Sequence, residues 1–373
     1  MRAVLLAGGK TGDVLLGAGR GPAPLLPLAD RPFIEHVCEA LIRSGITRVD
    51  WVLSSDDGAY RAFLEDGTPW GGTFRHHVAA DEARGYETVS ALLAERGADE
   101  TVVFGHADRL VTASTVLPAP ADRPPVALFG TAGTGGAWVW NGWAVLSGKP
   151  WRPPGATSER QLEASLAATE GCRRVETPAP LRVATAREYL EANWAVLQDL
   201  DVNPPVGRTN WPDGVRVSSG ATVHPSAVLL APVSIGAGAE IAAGAVVGPY
   251  AVIGTDCVVD RGAAVTRSVV LPRTYIGEGV RLDSTVAAHD RVVLLTSEGE
   301  ALVRADVAVG SLSDHLPGRM SAAVARWNRH TVAWLARLRD AGRTLRKSVS
   351  ERLGGADRTG GQPDPRTVPT VTD

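Results

Sequence analysis

From Val217 onward an aliphatic residue recurs at every sixth position: Val217, Val223, Leu229, Ile235, Ile241, Val247, Ile253, Val259, Val265 and Leu271. Four places after each stands a mostly small residue, running Ala221, Ala227, Val233, Ala239, Ala245, Ala251, Cys257, Ala263, Val269 and Tyr275. Six residues per side and three sides per coil, with the aliphatic residue pointing inward beside a small one, predict a parallel β-helix whose stacked coils share one core. Its known form is the left-handed hexapeptide prism. Gly236, Gly248 and Gly254 fall between the sides, where a turn favours a residue without a Cβ. A five-residue step from Leu271 to Ile276, followed by Leu282, gives about four coils before the pattern fades near Val286, so the prism is expected over residues 216–290.

Residues 1–200 follow a different rhythm, alternating short apolar runs with helical spacing, which predicts a doubly wound, Rossmann-like α/β domain. Ala3 to Leu6 reads as a strand running into the pair Gly8-Gly9. Pro32 to Ser44 places Ile34, Val37, Cys38, Leu41 and Ile42 on one helical face. Val49 to Leu53, Thr101 to Phe104 and Ala137 to Trp140 are further strands, and Arg187 to Leu200 is a helix. Residues 201–215, with Pro204, Pro205 and Pro212, form a linker. After the prism, residues 291–317 alternate weakly about Ser297 to Glu300 and predict a closing hairpin.

The pattern turns helical again over residues 318–353, where Met320, Val324, Trp327, Thr331, Trp334, Leu335 and Leu338 keep three-to-four spacing. Between Arg319 and Arg352 there are nine cations against two anions, although the whole chain carries a net charge of −3. This amphipathic segment either packs on the prism or on a sister subunit, with its arginines meeting the acidic remainder of the chain, or attaches peripherally to an anionic membrane surface. Residues 354–373, rich in Gly and Pro, are expected to be a disordered tail.

Composition narrows the classes. At 44% hydrophobic and 21% charged, the 373-residue chain is globular and not basic throughout, which argues against a nucleic-acid partner. No window approaches 18 uncharged apolar residues and no signal-peptide pattern opens the chain, so a cytoplasmic protein is expected. Cys38, Cys172 and Cys257 are odd in number and lack CxxC spacing, which fits core packing and neither a disulfide framework nor a zinc site. The cations are nearly all arginine, with lysine only at Lys10, Lys149 and Lys347.

Several segments carry a resemblance: Met1 to Gly9 (MRAVLLAGG), Pro22 to His36 (PAPLLPLADRPFIEH), Val102 to Asp108 (VVFGHAD) and Thr185 to Asn193 (TAREYLEAN). Together with the prism, they make the chain similar to the sugar-phosphate nucleotidyltransferase family, which includes mannose-1-phosphate guanylyltransferases and glucose-1-phosphate thymidylyl- and uridylyltransferases. The resemblance covers residues 1–290 in scattered blocks. It implies a reaction in which a sugar-1-phosphate oxygen attacks the α-phosphorus of a nucleoside triphosphate and expels pyrophosphate. Charge must then be neutralised along the phosphates. It also implies nucleotide binding by Leu6, Ala7, Gly8 and Gly9, and Mg²⁺ held by two aspartates if the protein is active.

Three charged positions of the family's pattern are changed. Counting without gaps from Gly9, Asp13 stands where the glycine-rich loop has its arginine, and Ala23 stands where the Pro-Lys-Pro lysine belongs. The first metal aspartate is matched by Asp108, whereas Arg182 occupies the place of the second, and arginine has no lone pair to offer a metal. At about 4 Å and an effective dielectric near 20, one unit charge contributes roughly 4 kcal/mol, so reversing its sign at Asp13 costs about twice that. The segment from Asp108 to the strand near Trp138 is also shorter than in the family, and that region normally holds the sugar phosphate.

The reading that follows is a nucleotidyltransferase homologue with degenerate catalysis. It would bind a nucleotide or nucleotide sugar as a regulatory or scaffolding subunit, as a homo-oligomer or in a hetero-oligomer with an active paralogue. The alternative is an active enzyme with a site rebuilt on Arg20, Arg31 and Asp108. A third reading, acyl transfer on the prism, would draw on His224 or His289.

Overall fold

A computed structural model of the chain describes residues 1–8, 22–29, 31–53, 58–97, 99–110, 124–148, 151, 155–198, 211–289, 291–296, 299–304 and 309–311. The chain divides into two units, Met1–Asp314 and His315–Asp373. The second lies wholly outside the described residues, and with it the expected basic helix 318–353 and the tail 354–373. Most of the expected linker, residues 201–210, also lies outside them.

The amino-terminal half is built on one seven-stranded sheet. Its strands are β1 (Arg2–Ala7), β2 (Arg48–Leu53), β3 (Thr73–Val78), β4 (Val102–His106), β5 (Val126–Ala132), β6 (Trp138–Leu146) and β7 (Arg173–Glu176). Their spatial order is β7-β5-β6-β4-β1-β2-β3, with only β6 antiparallel to its neighbours. Strands buried on both faces read as continuous apolar runs, and β1 shows why. Ala3, Leu5 and Ala7 enter one core while Val4 and Leu6 enter the other.

Helices cover both faces. α1 (Phe33–Arg43) and α5 (Ala186–Gln198) bury Phe33, Ile34, Val37, Tyr189 and Leu190 in the first core. α2 (Gly58–Leu64) adds Tyr60 and Leu64 to the same core. On the opposite face α3 (Glu82–Ala94) and α4 (Glu159–Ala167) bury Val89, Leu93, Leu162 and Leu166. Cys38 is buried in the first core, and Cys172 packs half-buried against the second.

The carboxy-terminal half forms a three-sided parallel β-helix. Short strands stack into three columns that advance 18 residues per coil at first, as in Val233↔Ala251, Glu240↔Val258 and Val246↔Ala264. Later coils advance 17, as in Val259↔Ile276, Val265↔Leu282 and Val270↔Ala287. The five-residue step therefore falls between Val265 and Val270, not between Leu271 and Ile276. Two hydroxyls account for the tighter corner: Ser268 Oγ donates to the Thr266 carbonyl (2.6 Å), and one coil on Thr285 Oγ1 donates to the Asp283 carbonyl (2.8 Å). Val270 consequently lines the axis with Ile253 and Ile276, while Leu271 points outward.

That outward turn joins the two halves. Val252, Val269, Leu271, Val286 and Ala288 on one side of the prism share the core that holds α1 and α5. Gln198 Nε2 donates to Tyr250 Oη (2.6 Å), and Trp194 meets the Tyr250 ring edge-on. Two of the glycines expected to make turns serve close stacking instead. A Cβ on Gly236 or Gly254 would lie 2.7 Å from backbone atoms of the next coil, and Gly248, at φ +104°, is both a positive-φ corner and pressed against the Leu230 carbonyl. After the last coil, Arg291–Thr296 and Gly299–Arg304 pair as an antiparallel hairpin. The strand Val309–Ser311 returns antiparallel to Thr274–Ile276.

Candidate functional site

The order of strands picks out the crevice. From β1 the chain builds outward through β2 and β3, then crosses back to place β4 on the other side of β1. In open α/β sheets, ligands bind where the order reverses, beyond the carboxyl ends of the two central strands. Leu6 and Ala7 end β1 there, both buried, and Gly8 follows half-buried. Ala107 N–H donates to the Leu6 carbonyl (2.9 Å), which sets Asp108 beside the end of β1. Of the expected site residues, Leu6, Ala7, Gly8 and Asp108 thus share one edge. Gly9, Asp13 and Arg20 lie outside the described residues. Ala23 opens a single 3-10 turn, Ala23–Leu25, and its side chain is also outside the description.

Arg182 joins the same edge. Leu181–Arg182 pairs antiparallel with Arg109–Leu110, and Arg182 stands opposite Arg109, the residue after Asp108. Its Nε lies 3.6 Å from Glu188 Oε1. Glu188 in turn closes a reciprocal cap on α5. Its backbone N–H donates to Thr185 Oγ1 (3.1 Å), and its carboxylate accepts from the backbone N–H groups of Thr185 and Ala184 (both 3.2 Å). The Thr185 to Glu188 segment of the resemblance is therefore, physically, a helix start that orients Arg182. By contrast, Arg31 gives its Nη1 to Glu35 (3.2 Å) and Glu39 (2.7 Å), so its charge is matched along α1.

Below this edge lies a buried polar cluster. Arg109 makes a two-pronged pair with Glu159, the first residue of α4, at 2.6 and 2.8 Å. Its Nε is 3.7 Å from Asp108 Oδ1. Burial alone would raise the Glu159 carboxyl. The Arg109 hydrogen bonds and nearby positive charge outweigh it and hold the group below its ordinary range. Burial likewise works against the Arg109 charge, but Glu159 and Asp108 more than restore it.

His106 is enclosed completely. Its Nδ1 faces the Gly142 carbonyl (3.0 Å), an acceptor, so Nδ1 carries the proton and Nε2 accepts from Tyr86 O–H (3.0 Å). Burial, then the Arg109 charge, lowers its pKa against the opposing pull of Asp108 and Glu159. Gly142 has φ +90°, and a Cβ there would lie 2.4 Å from Arg109 Nη1 and 2.7 Å from His106 Nδ1. Trp143 Nε1 donates to the Arg109 carbonyl (3.0 Å), fixing the backbone of that residue.

These donors do not fit Mg²⁺, which takes near-octahedral oxygen ligands through carboxylates and water. Asp108 Oδ1 is buried without a hydrogen-bond partner, yet it faces a guanidinium, and the position opposite is a second arginine. Among the described residues, no group of three or more His, Cys, Asp or Glu side chains could hold a metal ion. On the prism, His224 Nδ1 accepts from Ser226 N–H (3.1 Å), an arrangement that closes a turn.

Arg109, Glu159, His106, Tyr86 and Gly142 were not singled out from the sequence. Glu159 was within reach, because Ser158 caps α4 through Gln161 N–H (3.4 Å) and the Ser-x-x-Gln spacing marks a helix start. The others are joined only by the fold.

An open α/β sheet with a switch-point crevice, followed by a parallel β-helix, defines a two-part architecture. Residues 229–310 match the family model described as the GMPPB C-terminal domain, under a quarter of the chain. The match concerns that segment alone, and it agrees with the family that the amino-terminal motifs resemble. Among solved structures, one from Bacillus anthracis, assigned as a glucose-1-phosphate thymidylyltransferase in complex with a sucrose, is 16% identical. It covers 56% of this chain and 97% of its own, with a TM-score of 0.44. No curated protein matched the chain. Among the described residues, no helix is long and apolar enough to cross a membrane.

Proposed function

We propose that the chain is a sugar-phosphate nucleotidyltransferase homologue that binds a nucleotide or nucleotide sugar at the switch-point crevice without turning it over, and acts as a regulatory or scaffolding subunit in nucleotide-sugar and glycan biosynthesis. The observation that carries the reading is Arg182 set opposite Arg109 at the edge of Asp108. A pyrophosphate-releasing reaction needs positive charge delivered to the phosphates by a metal there, and carboxylates already engaged by Arg109, with Arg182 in the place of the second metal aspartate, supply no such ion. Asp13 and Ala23, in place of two phosphate-holding cations, support the same conclusion. Oligomerisation through the prism, alone or with an active paralogue, and a cytoplasmic location belong to this proposal.

The test is a pyrophosphate-release assay over all four nucleoside triphosphates and the common hexose-1-phosphates, with calorimetric titration of the same compounds. The expected result is binding with no more than trace turnover. Robust turnover by the unmodified chain overturns the proposal, and absence of both binding and turnover leaves only the scaffolding role.

A further inference from the structure

We infer that Arg109 is the resident cation of the switch-point crevice, and that it closes the crevice to divalent metal ions. This goes beyond the reading above, because it concerns what neutralises Asp108 and Glu159 whether or not a nucleotide binds. The two carboxylates arrive from separate elements, one just past the end of β4 and the other in the first turn of α4. One guanidinium serves both, through Nη1 and Nη2 to Glu159 (2.6 and 2.8 Å) and through its Nε side toward Asp108 Oδ1 (3.7 Å).

The placement is built in from several directions. The Arg109 side chain is only 10% exposed. Its carbonyl is held by Trp143 Nε1 and its strand by Leu181–Arg182. Gly142 leaves room for Nη1 that any Cβ would fill, at 2.4 Å. Arginine remains protonated throughout the accessible pH range, so this charge is permanent. A metal ion entering at Asp108 would have to displace that guanidinium or sit beside it. Removing the guanidinium leaves Asp108 and Glu159 without the cation that bridges them, and a pair of carboxylates is the donor chemistry of a hard divalent ion.

The experiment titrates Mn²⁺ into the full-length chain without nucleotide and follows the free ion by electron paramagnetic resonance. It compares wild type, Asp108→Asn, Arg109→Met and the double variant. In the expected result Asp108→Asn leaves wild-type Mn²⁺ binding unchanged. Arg109→Met gains about one ion per chain with affinity raised at least about tenfold, and the double variant loses that gain. Wild-type Mn²⁺ binding that Asp108→Asn abolishes overturns the inference, as does a folded Arg109→Met protein with no gain. Circular dichroism establishes folding. If Arg109→Met does not fold, Arg109→Gln takes its place, and the comparison of wild type with Asp108→Asn still decides.

Discussion

Replacing His106 with asparagine tests the buried cluster through its proton rather than through any ligand. In the folded chain the imidazole is neutral, because Nδ1–H is committed to the Gly142 carbonyl and Nε2 is already occupied by the Tyr86 hydroxyl. Its pKa lies below the ordinary 6.5, by burial first and the Arg109 charge second. The unfolded chain takes up the proton near 6.5 and the folded chain resists it, so the unfolded state binds more protons in that window and stability falls as pH falls. For one such site the slope cannot exceed about 1.4 kcal/mol per pH unit. Glu159, whose pKa is also depressed, loses its contribution only as pH drops below its ordinary 4.5, so the two windows separate. Asparagine keeps an N–H for Gly142 and does not titrate. Urea unfolding at half-unit pH steps should therefore show a wild-type curve that steepens below about pH 6.5 and a variant curve flatter by about one proton. Equal slopes for the two proteins would refute the assignment of a neutral, enclosed His106.

Other outcomes follow from the same geometry. Gly142→Ala combines a positive φ with a Cβ 2.4 Å from a pinned guanidinium, and should lower the stability measured by chemical unfolding by about 2–4 kcal/mol. Val270→Asp places a charge on the prism axis and should cost at least about 4 kcal/mol, seen as loss of the cooperative thermal transition. Thr185→Ala removes one arm of the α5 cap and should cost about 1 kcal/mol, most of it recovered by Thr185→Ser.

Much of the fold was legible because its periods are strong. The six-residue repeat marked the prism, and the apolar runs marked β1, β2 and β4, each buried on both faces. β3 was missed because Arg75, His76 and His77 interrupt its apolar run at the edge of the sheet. The slip before Val270 was hidden because Leu271 also fits a six-residue count, and the pattern cannot distinguish a side chain on the axis from one packed on a neighbouring helix. At the site, Asp108 and Arg182 could be placed by motif, but Arg109, Glu159 and His106 could not. They come from the end of β4 and the start of α4, and their meaning lies in mutual distances that no local spacing encodes.

The change in coil length has a consequence for how such a chain can vary over evolutionary time. A stack built of repeating coils can gain or lose one whole coil without disturbing the inward and outward alternation of the rest. Here that freedom is unequal. The early coils share a length of 18 residues, and an insertion or deletion of that length near Val217 would leave the later stack in phase. The 17-residue coils are not interchangeable with them. Their shortened corners set Leu271, Val286 and Ala288 against the helices of the amino-terminal half. Lengthening such a corner by a single residue would rotate that apolar patch away from its partner. Length variation among descendants should therefore collect at the amino-terminal end of the stack, while the coils after Val265 keep a fixed count.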